Sequence, residues 1–264
     1  MTQTPQAPAA EPLLANVLNF RDLGGLPAAD GRRVRPGTLF RSGHLAHATE
    51  EDAAFLDSLG LHTVLDFRND GDIAQEGPDV TLPGVRNLNI PMTESADGKE
   101  FWRMVRGGSP ELLRTTLGEG RAAARMVSTY RAAITGKTAE HGRVVHTLAE
   151  GSVPALLHCA AGKDRAGLAI TATLLALGVP RDAIEADYLE SNAPHRRYRL
   201  KRSAETTPEV LELLSPLFEA RADYLAAAFE ALDERWGTTE RYLTEGLGLT
   251  GPARERLREL LLTD

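Results

Sequence analysis

The chain contains one cysteine, Cys159, in the run Leu-Leu-His-Cys-Ala-Ala-Gly-Lys-Asp-Arg-Ala-Gly that occupies residues 156–167. An apolar stretch typical of a buried strand precedes this cysteine, and a helical pattern begins at Ala166. Unpaired amide groups and the positive end of the helix dipole meet where a strand turns into a helix, and both favour an anion. The residues therefore predict a thiolate nucleophile held over an anion pocket.

The residues that follow Cys159 are of the types that would hold a phosphate. Arg165 has a planar guanidinium that can bind two phosphate oxygens at once. Gly162 lets the backbone approach the anion without a clash from a Cβ atom. His158 is predicted to steady the loop through a hydrogen bond to the backbone. The predicted phosphate-binding residues are Ala160, Ala161, Gly162, Lys163, Asp164 and Arg165.

The full string His-Cys-x-x-Gly-Lys-Asp-Arg-x-Gly is far more specific than a cysteine and an arginine alone. It resembles the phosphate loop of cysteine-dependent phosphatases, and its Lys-Asp pair is similar to that of the bacterial tyrosine/serine protein phosphatase family. Other segments that are similar to this family lie at residues 19–25, 39–43, 64–68, 187–192 and 242–249.

This resemblance implies an α/β protein with a protein-tyrosine-phosphatase-like fold, in which a central, mostly parallel sheet is flanked by helices. It also implies hydrolysis of phosphomonoesters through a phosphocysteine intermediate, with Cys159 as the nucleophile. The implied substrates are phosphorylated proteins or phosphoinositides, and no cofactor is expected.

The leaving group of such a reaction needs a proton, which a carboxylic acid commonly donates. Many cysteine phosphatases take this acid from a loop a few tens of residues before the cysteine, but no aspartate occurs between Asp97 and Asp164. Two candidates remain. Asp66, at the end of a predicted strand, is slightly preferred because its segment is similar to a family motif. Asp164 either donates the proton, caps the following helix or orients Arg165.

Two residues in and beside the loop bear on substrate preference and on the rate of the second step. Lys163 either favours substrates that carry further phosphates, such as phosphoinositides, or strengthens the field on the thiolate. Ala166 stands where the resemblance implies serine or threonine, whose hydroxyl helps the cysteine to leave when the phosphoenzyme is hydrolysed. A slow second step is therefore expected.

Two other functions are compatible with the same loop: a phosphate-binding module without turnover, and sulfur or arsenate chemistry on a similar cysteine loop. Arg165 and Gly162 favour phosphate over the second of these. The seven histidines show no compact ligand spacing, so no metal site is predicted.

The composition bounds the class of protein. A chain of 264 residues with 42% hydrophobic and 25% charged residues is typical of a globular protein. We expect one phosphatase domain over residues 13–264, after a disordered tail at residues 1–12. The net charge of −7 argues against nucleic-acid binding. The single cysteine, and the lack of a signal peptide or a long apolar run, predict a cytoplasmic protein without an integral membrane segment.

The elements that must position these residues follow from the hydrophobic pattern. Strand patterns occur at residues 16–20, 38–41, 62–67, 85–90 and 153–158, and strands that alternate with helices predict a sheet whose carboxyl ends carry the site. A buried helix is predicted over residues 166–177, and helices are predicted from residue 182 to the end. Residues 98–135 are predicted to be a helical insertion, which is either a lid over the active site or part of the fixed core.

Overall fold

The computed structural model describes residues 14–94, 99–198, 200 and 202–264. The tail predicted at residues 1–12 therefore lies outside the described residues, as does residue 98 at the start of the predicted insertion.

Short strands form two sheets. In the described residues the strands are β1 (Arg21–Asp22), β2 (Arg33–Val34), β3 (Leu39–Ser42), β4 (Thr63–Asp66), β5 (Arg86–Asn89), β6 (Ala155–His158) and β7 (Leu262–Thr263). The central sheet has the order β1-β3-β6-β4-β5; its last four strands are parallel, and β1 is antiparallel to β3. β2 and β7 form a separate antiparallel pair. The expected mostly parallel central sheet is confirmed.

Helices flank the central sheet on both faces. Those described are α1 (Glu50–Ser58), α2 (Asp70–Glu76), α3 (Lys99–Gly107), α4 (Pro110–Leu117), α5 (Arg121–Gly136), α6 (Thr138–Ala149), α7 (Asp164–Leu177), α8 (Arg181–Leu189), α9 (Pro208–Phe218), α10 (Ala222–Trp236), α11 (Thr239–Arg241) and α12 (Gly251–Leu261). Among the helices of the described ranges, none combines the length and apolarity needed to cross a bilayer.

The central strands are buried on both faces. Successive residues of a strand point to opposite sides, so neighbours enter different apolar layers. Leu65 and Leu157 lie in the large cluster formed with α5, α6, α7, α8, α10 and α12, whereas Val64 and Leu156 lie in a smaller cluster with α1. α7 is buried along almost its whole length, which confirms the buried helix predicted after the loop.

Two predictions about the elements are wrong. Residues 16–20 form no strand, because Asn19 has a φ of 57° in the left-handed region, which interrupts extended backbone. The chain is not helical to its end, since β7 pairs with β2 after α12. Strands of two residues are too short to show a hydrophobic alternation in the sequence.

The helices between β5 and β6 belong to two different layers. α3 and α4 pack with α9 in a third apolar cluster, separate from the two clusters against the sheet, with Val105, Leu113 and Leu214 among its buried members. α5 joins both layers, since Ala122 lies in this third cluster and Tyr130 and Ile134 lie in the large one. Part of the predicted insertion is therefore core of the main fold, while the movement of α3 and α4 as a lid stays a prediction.

Candidate active site

The loop that carries Cys159 connects β6 to α7 at the carboxyl end of the sheet. The cysteine is 2% exposed and has no disulfide partner among the described residues. Gly162 has a φ of 67°, and a Cβ atom at this position would lie 2.3 Å from the carbonyl oxygen of Ser42. Only glycine therefore fits where the loop passes the end of β3.

Arg41, on β3, holds the loop from its buried side. Its Nη2 atom donates to the carbonyl oxygen of Gly162 at 2.7 Å and lies 3.4 Å from that of Lys163. The side-chain amide of Asn19 donates to the carbonyl of Ala161 at 3.1 Å. Three consecutive carbonyl groups of the loop thus point toward buried donors.

This orientation determines where the loop amides point. In a planar trans peptide, the C=O of one residue and the N–H of the next point in opposite directions. The amides that follow the held carbonyls belong to Gly162, Lys163 and Asp164, and they point away from Arg41 and Asn19. The carbonyl of Ala160 accepts from the amide of His44 at 3.2 Å, which orients the amide of Ala161 in the same way.

Asp187, on α8, pairs with both arginines beneath the loop. Its Oδ2 atom lies 2.6 Å from Nη1 of Arg41 and its Oδ1 atom 2.7 Å from Nε of Arg21. Burial alone would raise the pKa of Asp187, but the charges of Arg41 and Arg21 hold it below its ordinary value. Burial, with the charge of Arg41, lowers the pKa of Arg21 to about 10. We call Arg21, Arg41 and Asp187 the underside network.

Arg165 extends from the first turn of α7 toward α2. Its Nη1 atom donates to the Oδ2 atom of Asp72, and it lies 3.5 Å from the carbonyl oxygen of Phe67. Burial alone would lower the pKa of Arg165, but the charges of Cys159 and Asp72 raise it. Asp72 is the N3 residue of the capping box of α2, so its carboxylate is fixed before it meets the guanidinium.

Asp66 is occupied by a neighbouring arginine. Its two oxygens accept from Nε and Nη2 of Arg68 at 2.9 to 3.1 Å, and Arg68 also lies 2.8 Å from Asp79. His158 has its Nε2 atom 2.9 Å from Asp79 and its Nδ1 atom 3.4 Å from the carbonyl oxygen of Cys159. Burial alone would raise the pKa of Asp79, but His158 and Arg68 lower it. His158 thus lies where it can hold the backbone of the nucleophile.

Asp164 lies at the open side of the loop. Its Oδ1 atom accepts from the hydroxyl of Tyr130 at 2.6 Å and lies 3.2 Å from Nζ of Lys163. Burial and the neighbouring charge of Asp164 raise the pKa of Tyr130 well above its ordinary value, so this hydroxyl stays protonated and donates.

Lys163 does not present its ammonium group to the cleft. It is 3% exposed, and its Nζ atom donates to the carbonyls of Leu217 and Glu219 at 3.0 and 2.9 Å. These carbonyls lie at the carboxyl end of α9, where a cation is favoured. Of the two roles that the sequence left open for Lys163, this placement does not favour contact of the ammonium group with further phosphates, and the backbone of Lys163 remains available to a phosphate.

Two cavities flank the loop. The larger, of about 1250 Å³, is lined by Asp72, Asp164 and Arg165 together with residues of α3 and α5, among them Trp102, Arg103, Arg125 and Met126. The smaller, of about 760 Å³, borders Ala160 on the other side. Gln75 and Arg106 line both cavities, so one cleft crosses the loop.

Several residues of the site were not identified from the sequence. Arg41, Asn19 and Asp187 lie in segments that resemble the family, but the segments alone gave them no role. Their separation in the chain hides that they meet at one loop. The pairing of Asp66, the last residue of β4, with Arg68 is by contrast local in the chain.

Comparisons with known proteins place the chain in a family. Residues 12–263 match the model of a family described as the tyrosine phosphatase family. A Cupriavidus necator protein whose name describes it as a tyrosine-protein phosphatase is 37% identical over 262 residues, which cover 92% of this chain and 89% of that protein. The triple specificity protein phosphatase PtpB of Mycobacterium tuberculosis is 34% identical over 276 residues, which cover 94% of this chain and 98% of that protein.

A crystal structure of TpbA from P. aeruginosa also matches, at 19% identity and a TM-score of 0.29, over 76% of this chain and 90% of that chain. A score this low gives no basis for comparing the two arrangements in detail.

Proposed function

The chain belongs to the tyrosine phosphatase family and is therefore a phosphoric monoester hydrolase, and we propose that Cys159 is its nucleophile. The thiolate attacks the phosphorus atom in line with the leaving oxygen, a phosphocysteine forms, and water then hydrolyses it. The loop amides and Arg165 bind the equatorial oxygens, where negative charge collects in the transition state.

One observation carries this proposal: the loop carbonyls that flank Gly162 are held by Arg41, Asn19 and a backbone amide on the buried side. Their peptide N–H groups are therefore fixed toward the open side before any substrate arrives. Donors arranged in advance need no reorganisation during the reaction, which is the main source of electrostatic catalysis.

We propose Asp164, rather than Asp66, as the acid that protonates the leaving group and the base that later activates water. Asp164 lines the larger cavity beside Arg165, and Tyr130 fixes one of its oxygens. Both oxygens of Asp66 are taken up by Arg68 in a buried position. The geometry thus does not favour the preference for Asp66 that the sequence suggested.

Substrates whose leaving groups differ in basicity distinguish Asp164 from Asp66 as the acid. Asp164→Asn is expected to lower turnover of an alkyl phosphate by about 10²- to 10⁴-fold, and that of an aryl phosphate much less, because a phenolate leaves without full protonation. Asp66→Asn is the matched control, with the same chemical change at the other candidate. A selective loss on alkyl phosphates in Asp66→Asn would reverse the assignment.

The nucleophile is tested with p-nitrophenyl phosphate and the variant Cys159→Ser. We expect activity in the wild type and none above background in the variant, because a serine hydroxyl is not ionised at neutral pH. The alternative of a phosphate-binding module predicts no turnover in either protein. Turnover that survives Cys159→Ser would refute the phosphocysteine.

We propose that the enzyme hydrolyses phosphotyrosine and also accepts phosphoserine, phosphothreonine and phosphoinositides. The larger cavity is wide and has arginines on its wall, which suits bulky anionic substrates. The relative PtpB is named a triple specificity protein phosphatase, which supports a broad range. The cytoplasmic location predicted from the sequence stays a prediction.

A panel of phosphotyrosine, phosphoserine, phosphothreonine and phosphoinositide substrates tests this range. The variant Lys163→Met tests whether the ammonium group of Lys163 contributes to it by contacting a second phosphate. Because the ammonium group of Lys163 binds the end of α9, its loss should lower kcat/KM for phosphotyrosine peptide and phosphoinositide by the same factor. A loss confined to phosphoinositide would show that this side chain contacts a second phosphate.

A further inference from the structure

Two histidines and a glutamate meet at the edge of the smaller cavity. The Nε2 atoms of His44 and His47 lie 3.7 and 3.8 Å from the Oε2 atom of Glu76, and the two imidazole rings have their centres 5.1 Å apart. Ligand atoms of one zinc ion, each about 2.0 to 2.2 Å from the metal, are themselves separated by a little over 3 Å. The three candidate ligand atoms lie within 4.8 Å of one another, so they would move closer together to bind one ion.

The other oxygen of the glutamate is held in place. The Oε1 atom of Glu76 accepts from Nη2 of Arg106 and from the hydroxyl of Tyr198, each at 3.0 Å. Carboxylates that bind metals are commonly oriented by such hydrogen bonds to the oxygen that does not face the ion. The arrangement therefore fixes Oε2 toward the two rings.

A second group of similar composition shows what distinguishes this site. Asp66, Asp79 and His158 also bring their polar atoms together, but Arg68 lies within 2.9 Å of both carboxylates. A buried guanidinium already supplies the positive charge there. Glu76 also pairs with a guanidinium, that of Arg106, but through Oε1, and the side chain of Arg106 is 24% exposed. Its Oε2 atom faces two imidazole nitrogens, which are the commonest metal ligands in proteins.

The site is open to solvent and touches the phosphate loop. The side chain of His47 is 54% exposed, so an ion can enter. The cavity beside it, of about 760 Å³, is also lined by Gly43 and Ala160. The backbone amide of His44 donates to the carbonyl of Ala160, so one ligand is attached directly to the loop that carries the cysteine.

We propose that His44, His47 and Glu76 bind a divalent transition-metal ion, Zn²⁺ foremost, with the remaining coordination position open to the cleft. Two imidazoles and one carboxylate are a donor set that suits zinc with one exchangeable ligand. This revises the expectation from the sequence that no metal site is present. The two histidines are three residues apart, but Glu76 lies far along the chain and only the fold brings it to them.

Metal binding is measured in the Cys159→Ser protein, so that the thiolate contributes no ligand. Zinc titration by calorimetry is expected to give one site per chain, and cobalt should give the visible absorption of a tetrahedral ion. His47→Ala should weaken zinc binding by roughly 100-fold, since loss even of an outer hydrogen-bond partner costs about 10- to 100-fold. Glu76→Gln should have a similar effect, because the amide keeps the hydrogen bonds but loses the charge.

His195→Ala is the matched control, because this histidine is also exposed but lies outside the site. It should bind zinc as tightly as the parent protein. Thermal unfolding of each variant without metal establishes that it is folded. Equal zinc affinity in the parent, His47→Ala and Glu76→Gln proteins would overturn the proposal, and so would an anomalous-scattering peak for zinc at any other position. Neither result bears on the phosphatase chemistry, since the measurement is made without the nucleophile.

Discussion

Two ion pairs of equal length differ in what they can do. Arg41 and Asp187, beneath the loop, are 2.6 Å apart and almost fully buried. Arg114 and Glu209, which join α4 to α9, are also 2.6 Å apart, but about half of each side chain is exposed. Water screens the outer pair, so it contributes little, whereas loss of Arg41 leaves buried acceptors without their donor.

The comparison extends to the regions themselves. The underside network fixes carbonyls of the catalytic loop, and its members come from β1, β3 and α8. α3, α4 and α9, which we call the wall, share a small apolar cluster with the beginning of α5. The structure thus distinguishes a buried support of the loop from the wall, of which α3 lines the larger cavity.

The largest effect is expected for Arg41→Met. The change should lower the free energy of unfolding by about 1–3 kcal/mol for each buried acceptor that loses its donor, namely Asp187 and the carbonyl of Gly162, while Arg21 still compensates the charge of Asp187. It should also lower turnover of p-nitrophenyl phosphate roughly 100-fold, since the loop amides lose their alignment. Chemical denaturation and steady-state kinetics measure the two effects.

Arg114→Met is the matched control for this substitution. It should lower the free energy of unfolding by less than about 1 kcal/mol and leave turnover of p-nitrophenyl phosphate unchanged. Equal effects of the two substitutions would erase the distinction between support and wall. If Arg41→Met does not fold, Arg41→Lys keeps the charge but not the planar fork, and reduced turnover in that folded variant supports the same account.

The loss of folding stability at acidic pH tests the role of Asp187 in the underside network. Because its pKa is lowered in the folded protein, its contribution is complete above the ordinary pKa of an aspartate and is lost as the pH falls through the lower, folded value. Asp187→Asn should therefore be less stable than the wild type at neutral pH, and this difference should shrink as the pH falls through that acidic range. A difference that stays constant with pH would show that Asp187 is not the group responsible.

The same truncation in the two apolar layers should separate stability from activity. Leu113→Ala, in the wall, and Leu174→Ala, in α7, each remove a buried side chain. Each should lower the free energy of unfolding, of the layer concerned or of the whole protein, by about 2–5 kcal/mol. Only Leu174→Ala should lower turnover of p-nitrophenyl phosphate in the folded protein. Loss of turnover in Leu113→Ala with a folded main core would mean that the wall takes part in the chemistry.

A smaller effect is expected for Asp72→Asn. The amide keeps the capping hydrogen bond of α2 but loses the charge that orients Arg165. A charged hydrogen bond contributes about 1.5–3 kcal/mol, so kcat/KM should fall at least about 10-fold. Asp70→Asn, two residues earlier in the same helix and exposed, makes the same chemical change away from Arg165 and should have a much smaller effect. Equal losses in both variants would contradict the role of Asp72.

The smallest effect concerns Ala166, which has no hydroxyl to assist the departure of the cysteine. The wild type should show a burst of p-nitrophenol before the steady state, because hydrolysis of the phosphocysteine is slow. Ala166→Ser should raise steady-state turnover by about fivefold, as expected for one hydrogen bond of about 1 kcal/mol. Without a burst in the wild type, or with slower turnover in the variant, the slow second step would be excluded.

The sequence predicted that the loop lies between a strand and a buried helix, because these elements and the loop are contiguous in the chain. Cys159, Gly162 and Arg165 need only the strand before them and the helix after them, and both elements have strong apolar patterns. The side chain of Lys163 could not be placed in this way, because its acceptors lie at the end of α9. The same is true of Arg41 and Asp187, whose meeting depends on the order of the strands.

Soaking a crystal with vanadate tests the central claim most directly. We expect the vanadium atom to be bonded to Sγ of Cys159, with its equatorial oxygens bound by the amides of the loop and by the guanidinium of Arg165. A vanadate bonded to another side chain, or a loop whose amides point away from the anion, would contradict the account.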